Sequence, residues 1–174
     1  MTNTSIFFLV NLVGGIAVLG SYGAGFYLYP DQRTALWGGV VGNWKTLFST
    51  SMFFAAAGYL IFCYTMTVSD GADEASFLGK YTFSILATAF LFSASVWMPA
   101  TLQYLDTRKE IWWVVSVTSL WVTAASLACI GLAFNFTEFP NLNLFQNSVT
   151  LIGIIWITFH CLVFDAIIWV TKFP

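Results

Sequence analysis

Five apolar runs separated by short polar links take up most of the chain. They lie at about 6–29, 46–68, 82–105, 111–134 and 149–171. Each is near the ~20 residues that an α-helix needs to cross a bilayer. The links carry turn-forming and charged residues: PDQRTALWGGVVGNWK at 30–45, SDGADEASFLGK at 69–80, DTRKE at 106–110 and FTEFPNLNLFQN at 136–147. This alternation predicts an all-α integral membrane fold, a bundle of five transmembrane helices forming one domain over residues 1–174. The first run is too long for a signal-peptide core and has no basic segment before it, so it reads as a retained helix.

Composition sharpens the prediction. Charged residues make up 8% of the chain and hydrophobic residues 59%, whereas soluble domains carry about 25% charged residues. So few charges cannot cover a water-facing surface, and the lipid bilayer becomes the first partner. No basic patch exists, which argues against nucleic acid as a partner. Cys63, Cys129 and Cys161 each fall within a span and form no CxxC pair. They read as small buried hydrophobes.

Several features bear on packing. Ala17, Ser21 and Gly25, with Gly20 and Ala24 alongside, form a small-residue stripe on the first span. Such stripes let membrane helices approach closely, as does the 55–58 run AAAG on the second. Pro99 predicts a kink, or a freed carbonyl near Ser95, on the third. Ser116, Ser119, Thr123, Ser126 and Gly131 keep the fourth slim and mildly polar. The 30–45 link holds Trp37 and Trp44, so it is expected either to lie at the interface or to fold over the bundle as a lid. Asp70, Asp73 and Glu74 read as a solvated loop, because their spacing does not match a calcium-binding hand.

Five spans place the termini on opposite sides. Arg33, Lys45, Arg108, Lys109 and Lys172 fall on the side of the C-terminus, and only Lys80 on the other. The positive-inside rule then predicts a cytoplasmic C-terminus and an N-terminus outside. The sequons at Asn3 and Asn135 would face that outer side.

Candidate chemistry sits in the spans. His160, the only histidine, and Asp165 lie within the last apolar run, and ionisable groups in hydrocarbon are costly. At ~1.5 Å per residue, His160 falls near the midplane and Asp165 in the inner leaflet. On an α-helix, residues five apart are about 140° apart, so the two should not share a face. His160 is expected to bond a Ser or Thr of the fourth span, to contact a ligand, or to relay protons. Asp165 is expected to be neutral and hydrogen-bonded, to reach an inner-side Lys or Arg, or to line a cavity. Asn11 is expected to make an interhelical hydrogen bond, and with His160 and Asp165 it completes the candidate proton path. No zinc cluster, catalytic triad or phosphate-binding loop is present. A His160/Asp165 acid–base pair acting on a lipid is the one enzymatic option, and neither catalytic nor metal residues are assigned.

Local motifs resemble the TspO (tryptophan-rich sensory protein, translocator protein) family. Trp44-Lys45-Thr46-Leu47-Phe48 is similar to that family's W-x-x-L-Y at the start of its second helix. Trp97-Met98-Pro99 resembles the Trp/Pro-rich end of its third. Trp156-Ile157-Thr158-Phe159, followed by Asp165 and Trp169, resembles its fifth-helix pattern, with aspartate for asparagine and a one-residue shift. The proline-rich signature of the family's first loop is missing, as is the asparagine expected before Trp97. The resemblance implies a pocket for a flat lipophile such as a porphyrin, a sterol or a lipid-like molecule, lined by Trp44, Phe48, Trp97, Trp156 and His160. Aromatic faces with a few polar handles suit such ligands.

Three functions follow as expectations. The first is binding or transport of a small hydrophobic ligand. The second is an accessory subunit of a larger respiratory or photosynthetic membrane complex. The third is a homo-oligomeric ion or proton channel.

Overall fold

The computed structural model describes residues 2–69, 71–74 and 79–173. Asp70 lies outside the described residues. Helices and short turns make up these residues, with no strand among them. The five long helices are α1 (Asn3–Leu28), α2 (Asn43–Val68), α3 (Thr82–Thr107), α4 (Glu110–Phe136) and α5 (Leu144–Lys172). Each is long and apolar enough to cross a membrane. Around the bundle the contacts run α1 to α3, α3 to α4, α4 to α5, α5 to α2 and, most lightly, α2 to α1.

Small and hydroxylated residues set the registers. α1 and α3 run parallel with their numbers offset by about 77. A Cβ at Gly14 would sit 2.7 Å from Leu91 Cβ, and one at Gly25 would sit 2.8 Å from Leu102 Cδ1. The packed face of α1 therefore carries Gly14 and Gly25, while Ala17, Gly20 and Ala24 of the predicted stripe face outward. On the antiparallel α3–α4 seam, Ser93 Oγ meets Thr123 Oγ1 at 2.8 Å and Thr101 Oγ1 meets Ser116 Oγ at 2.7 Å. These pairs satisfy hydroxyls that lipid could not. Arg108, in the left-handed region at φ 54°, ends α3 and turns the chain into α4.

The antiparallel α2–α5 seam is the tightest. Gly58 and Gly153 touch backbone to backbone, and a Cβ on either would come within 2.7 Å of the other's carbonyl oxygen. Thr65 Oγ1 meets Thr150 Oγ1 at 2.9 Å toward the face of the N-terminus. Seven residues from the glycine crossing in the other direction, Ser51 meets His160. α5 begins earlier than the apolar run suggested. Asn143 and Gln146 form a reciprocal capping box at its start, a signature readable as N-x-x-Q.

Two apolar cores fill the bundle. In the half toward the N-terminus, Phe7, Phe62, Phe83, Phe90 and Phe134 pack with Met66, Leu127 and Ile130. In the half toward the C-terminus, tryptophans take over. Trp113 stacks on Phe173 at 5.1 Å, and Trp169 lies 5.7 Å from Trp113 and 5.4 Å from Trp97.

The 30–42 segment settles into two short 3-10 turns and covers the end of this second core. Leu36 and Val40 are buried. Trp169 Nε1 donates to the Leu36 carbonyl at 2.9 Å, and Gly39 N donates to the Lys172 carbonyl at 2.8 Å. Gly38, at φ 53°, lets the chain turn where a Cβ would lie 3.0 Å from Phe173 Cα. The segment folds over the bundle, the lid-like alternative of the two expected.

The opposite end is tied by Asn3, which is fully buried. Its side-chain amide donates to the carbonyls of Ala72 and Lys80, and its oxygen accepts from Ser84 Oγ at 3.2 Å. Asn3 is therefore a structural tie, with both amide protons engaged. Asp73 is likewise more than a solvated charge. It accepts from Asn3 N at 2.8 Å and from Thr4 Oγ1 at 2.8 Å, capping α1 from another loop. Burial works against its ionised form, but the bonds from Thr4 and Asn3 and the nearby Lys80 together outweigh it and hold the carboxyl below the usual range.

Candidate functional site

The unusual element is the middle of α5. From His160 to Trp169 the backbone bonds run in a π-helical pattern. Such segments are rare and cluster at functional sites. Closing each turn on i→i+5 widens the helix, so residues five apart come onto one face. His160 Nε2 lies 3.7 Å from Asp165 Oδ2. The expectation that the two diverge by about 140° held for an α-helix and fails here because the local helix is not α.

A polar cluster forms around this pair. His160 Nδ1 lies 3.0 Å from Ser51 Oγ on α2. The partner of His160 is thus on the second helix, not the fourth, because the Gly58–Gly153 crossing draws α2 and α5 together. Trp156 Nε1 donates to the Ser51 carbonyl at 3.3 Å, so Trp156 and His160 do share a face. Cys161, one position after His160, lies within electrostatic reach of the Asp165 carboxyl. Tyr22 of α1 lies within electrostatic reach of the same carboxyl.

Asp165 sits deep among protein atoms, yet 32% of its side chain is accessible, against 7% for His160. The carboxyl is therefore partly open, while the imidazole is enclosed. Tyr22 packs edge-on against Trp97, with ring centres 5.9 Å apart. Trp97 Nε1 is buried and meets no acceptor among the described residues. Donors in this state are uncommon in folded proteins.

Asp165 reaches no lysine or arginine. Lys45 lies over the Trp37 ring at 4.7 Å, Lys172 over Trp44 at 5.5 Å and Arg108 over Tyr104 at 5.9 Å. Arg33 donates to the Phe26 carbonyl. Among the described residues, His160 is the one basic group within ion-pair distance of Asp165.

The other candidate residues do not all converge here. Phe48 is buried against Phe164 at 4.8 Å, beside the cluster. Trp97 joins it through Tyr22 and Trp169. Trp44 and Trp156 are 44% and 41% exposed and face largely outward. Asn11 lies in the other half, accepting from Tyr59 OH at 2.7 Å and Cys63 Sγ at 3.3 Å. It makes the interhelical bond expected of it and does not join His160 and Asp165. Ser51 and Tyr22 were missed in the sequence. Ser51 ends a Ser49-Thr50-Ser51 trio, a polar interruption of an apolar span. Tyr22 carries no comparable signal.

Two surface grooves lie elsewhere. One runs between α4 and α5 past Gly131, Asn135, Ile154 and Thr158, and the other lies between α1 and α3 past Val10 and Ser84. Among the described residues no group of three or more His, Cys, Asp or Glu side chains is placed to hold a metal ion. No family model, curated protein or solved structure matches the chain.

Proposed function

We propose that the protein binds a small, mostly apolar ligand with a polar head, in the half of the bundle toward the C-terminus. The observation that carries this reading is the accessible Asp165 carboxyl, paired with His160 across a π-helical turn and set beside Tyr22 and Trp97. Aromatic walls with a few convergent polar groups are the ordinary composition of such sites. In a bilayer, the C-terminal face would be cytoplasmic, by its excess of lysine and arginine. The relationship to the TspO family belongs to the same proposal, with Phe48, Trp97 and His160 as the shared residues at the site.

A pore through one bundle is less favoured. The half toward the N-terminus is closed by Phe62, Phe83, Phe134 and Ile130, all buried, and Asn11 is engaged with Tyr59. Equilibrium binding of an uncharged porphyrin (octaethylporphyrin) and of cholesterol to the protein in nanodiscs tests the reading. Trp97→Phe and His160→Ala should weaken binding by about ten-fold, and Trp44→Ala should leave it unchanged. Equal affinities in all folded variants would overturn it.

A further inference from the structure

The chemistry around Asp165 points to one class of ligand head. A carboxyl inside an apolar bundle needs a partner: a cation, a proton or water. All six lysines and arginines of the chain lie at helix ends or in links. Of the five at this end, four are engaged with the Trp37, Trp44 and Tyr104 rings or with the Phe26 carbonyl, and Lys109 is exposed in the link before α4. His160 stands 3.7 Å away, longer than a hydrogen bond, and its other nitrogen is occupied by Ser51. The accessible part of Asp165 is therefore an acceptor without a full counter-charge. Tyr22, within electrostatic reach of that carboxyl, and the Trp97 ring packed against Tyr22 offer π-faces of the kind that attract cations.

We infer that the site selects lipophilic amines, with the protonated nitrogen against Asp165 and the hydrocarbon body among the aromatic side chains of α1, α3 and α5. This rests on the binding reading above and names the head group that reading leaves open. A carboxylate supplies charge and hydrogen-bond acceptors to an ammonium. An alcohol of the same shape would donate a hydrogen bond to the same carboxylate but bring no opposite charge. Anionic heads would be repelled.

The test uses matched pairs that differ only in the head: 1-aminoadamantane against 1-hydroxyadamantane, and dodecylamine against dodecanol. Binding is measured by calorimetry on the full chain in nanodiscs of zwitterionic phosphatidylcholine at about pH 7.5, where alkylamines are protonated. In at least one pair, the amine should bind about ten-fold or more tightly than the alcohol. Asp165→Asn should erase that preference by weakening amine binding more than alcohol binding, and Asp165→Glu should retain part of it. Alcohol binding in Asp165→Asn also reports that the variant has folded. Equal binding of amine and alcohol, or a preference that survives Asp165→Asn, would overturn the amine inference and leave the pocket standing. Failure of every compound to bind the wild-type chain would overturn the pocket, and this inference with it.

Discussion

The two halves of the bundle handle polar groups in opposite ways. Toward the N-terminus, polar side chains tie the structure. Asn3 bonds three partners, Asn11 joins α1 to α2, and Thr65 meets Thr150. Between them lies a dry phenylalanine core. Toward the C-terminus, the backbone of α5 departs from α-helical geometry, Trp97 Nε1 meets no acceptor among the described residues, and Asp165 remains accessible. Lipid offers no hydrogen bonds to compensate groups left open. The first half reads as scaffold, and the second holds the polar groups that the fold itself satisfies least.

The largest expected effect is in the scaffold half. Phe62 is fully buried and touches the rings of Phe7, Tyr59, Phe83 and Phe134. Phe62→Ala should destabilise toward the low end of about 3–5 kcal/mol. Packing is lost, while the water-transfer contribution is small in lipid. Unfolding in mixed micelles would measure it, and a loss below about 1 kcal/mol would break the contrast between the halves.

A smaller effect concerns Asp73. Its folded pKa lies below the ordinary 3.8. Its contribution is therefore complete above the unfolded value and is lost as pH falls through the lowered folded value. Amide exchange at Asn3 and Thr4 should stay protected through mildly acid conditions and quicken only below the ordinary carboxylate range. In Asp73→Asn these amides should exchange faster with little dependence on acid. Because Asp73 is exposed, global stability should move little.

The architecture was legible because its cause is local. Twenty-residue apolar runs and charged links specify five helices wherever the chain packs. The helix ends were less so: the Asn143–Gln146 capping box starts α5 five residues before the apolar run does. The site was half legible. His160 and Asp165 stand out as ionisable groups in an apolar run, but their proximity depends on the π-helical turn, and no proline or glycine between 160 and 169 announces it. Ser51 becomes the partner of His160 only through the Gly58–Gly153 crossing, a long-range register that composition does not encode. Trp44 and Trp156 lie on the expected helices but turn outward, since a tryptophan suits the membrane interface as well as a pocket.

The most direct test is the unfolding stability of Asp165→Asn beside that of the wild type, in the same lipid and without ligand. If Asp165 is held for a ligand and not for the fold, the variant should match or slightly exceed the wild type, as removal of a poorly compensated buried charge often does. A loss of about 3 kcal/mol or more, comparable to Phe62→Ala, would make Asp165 a structural tie like Asn3 and contradict the division of the bundle into scaffold and site.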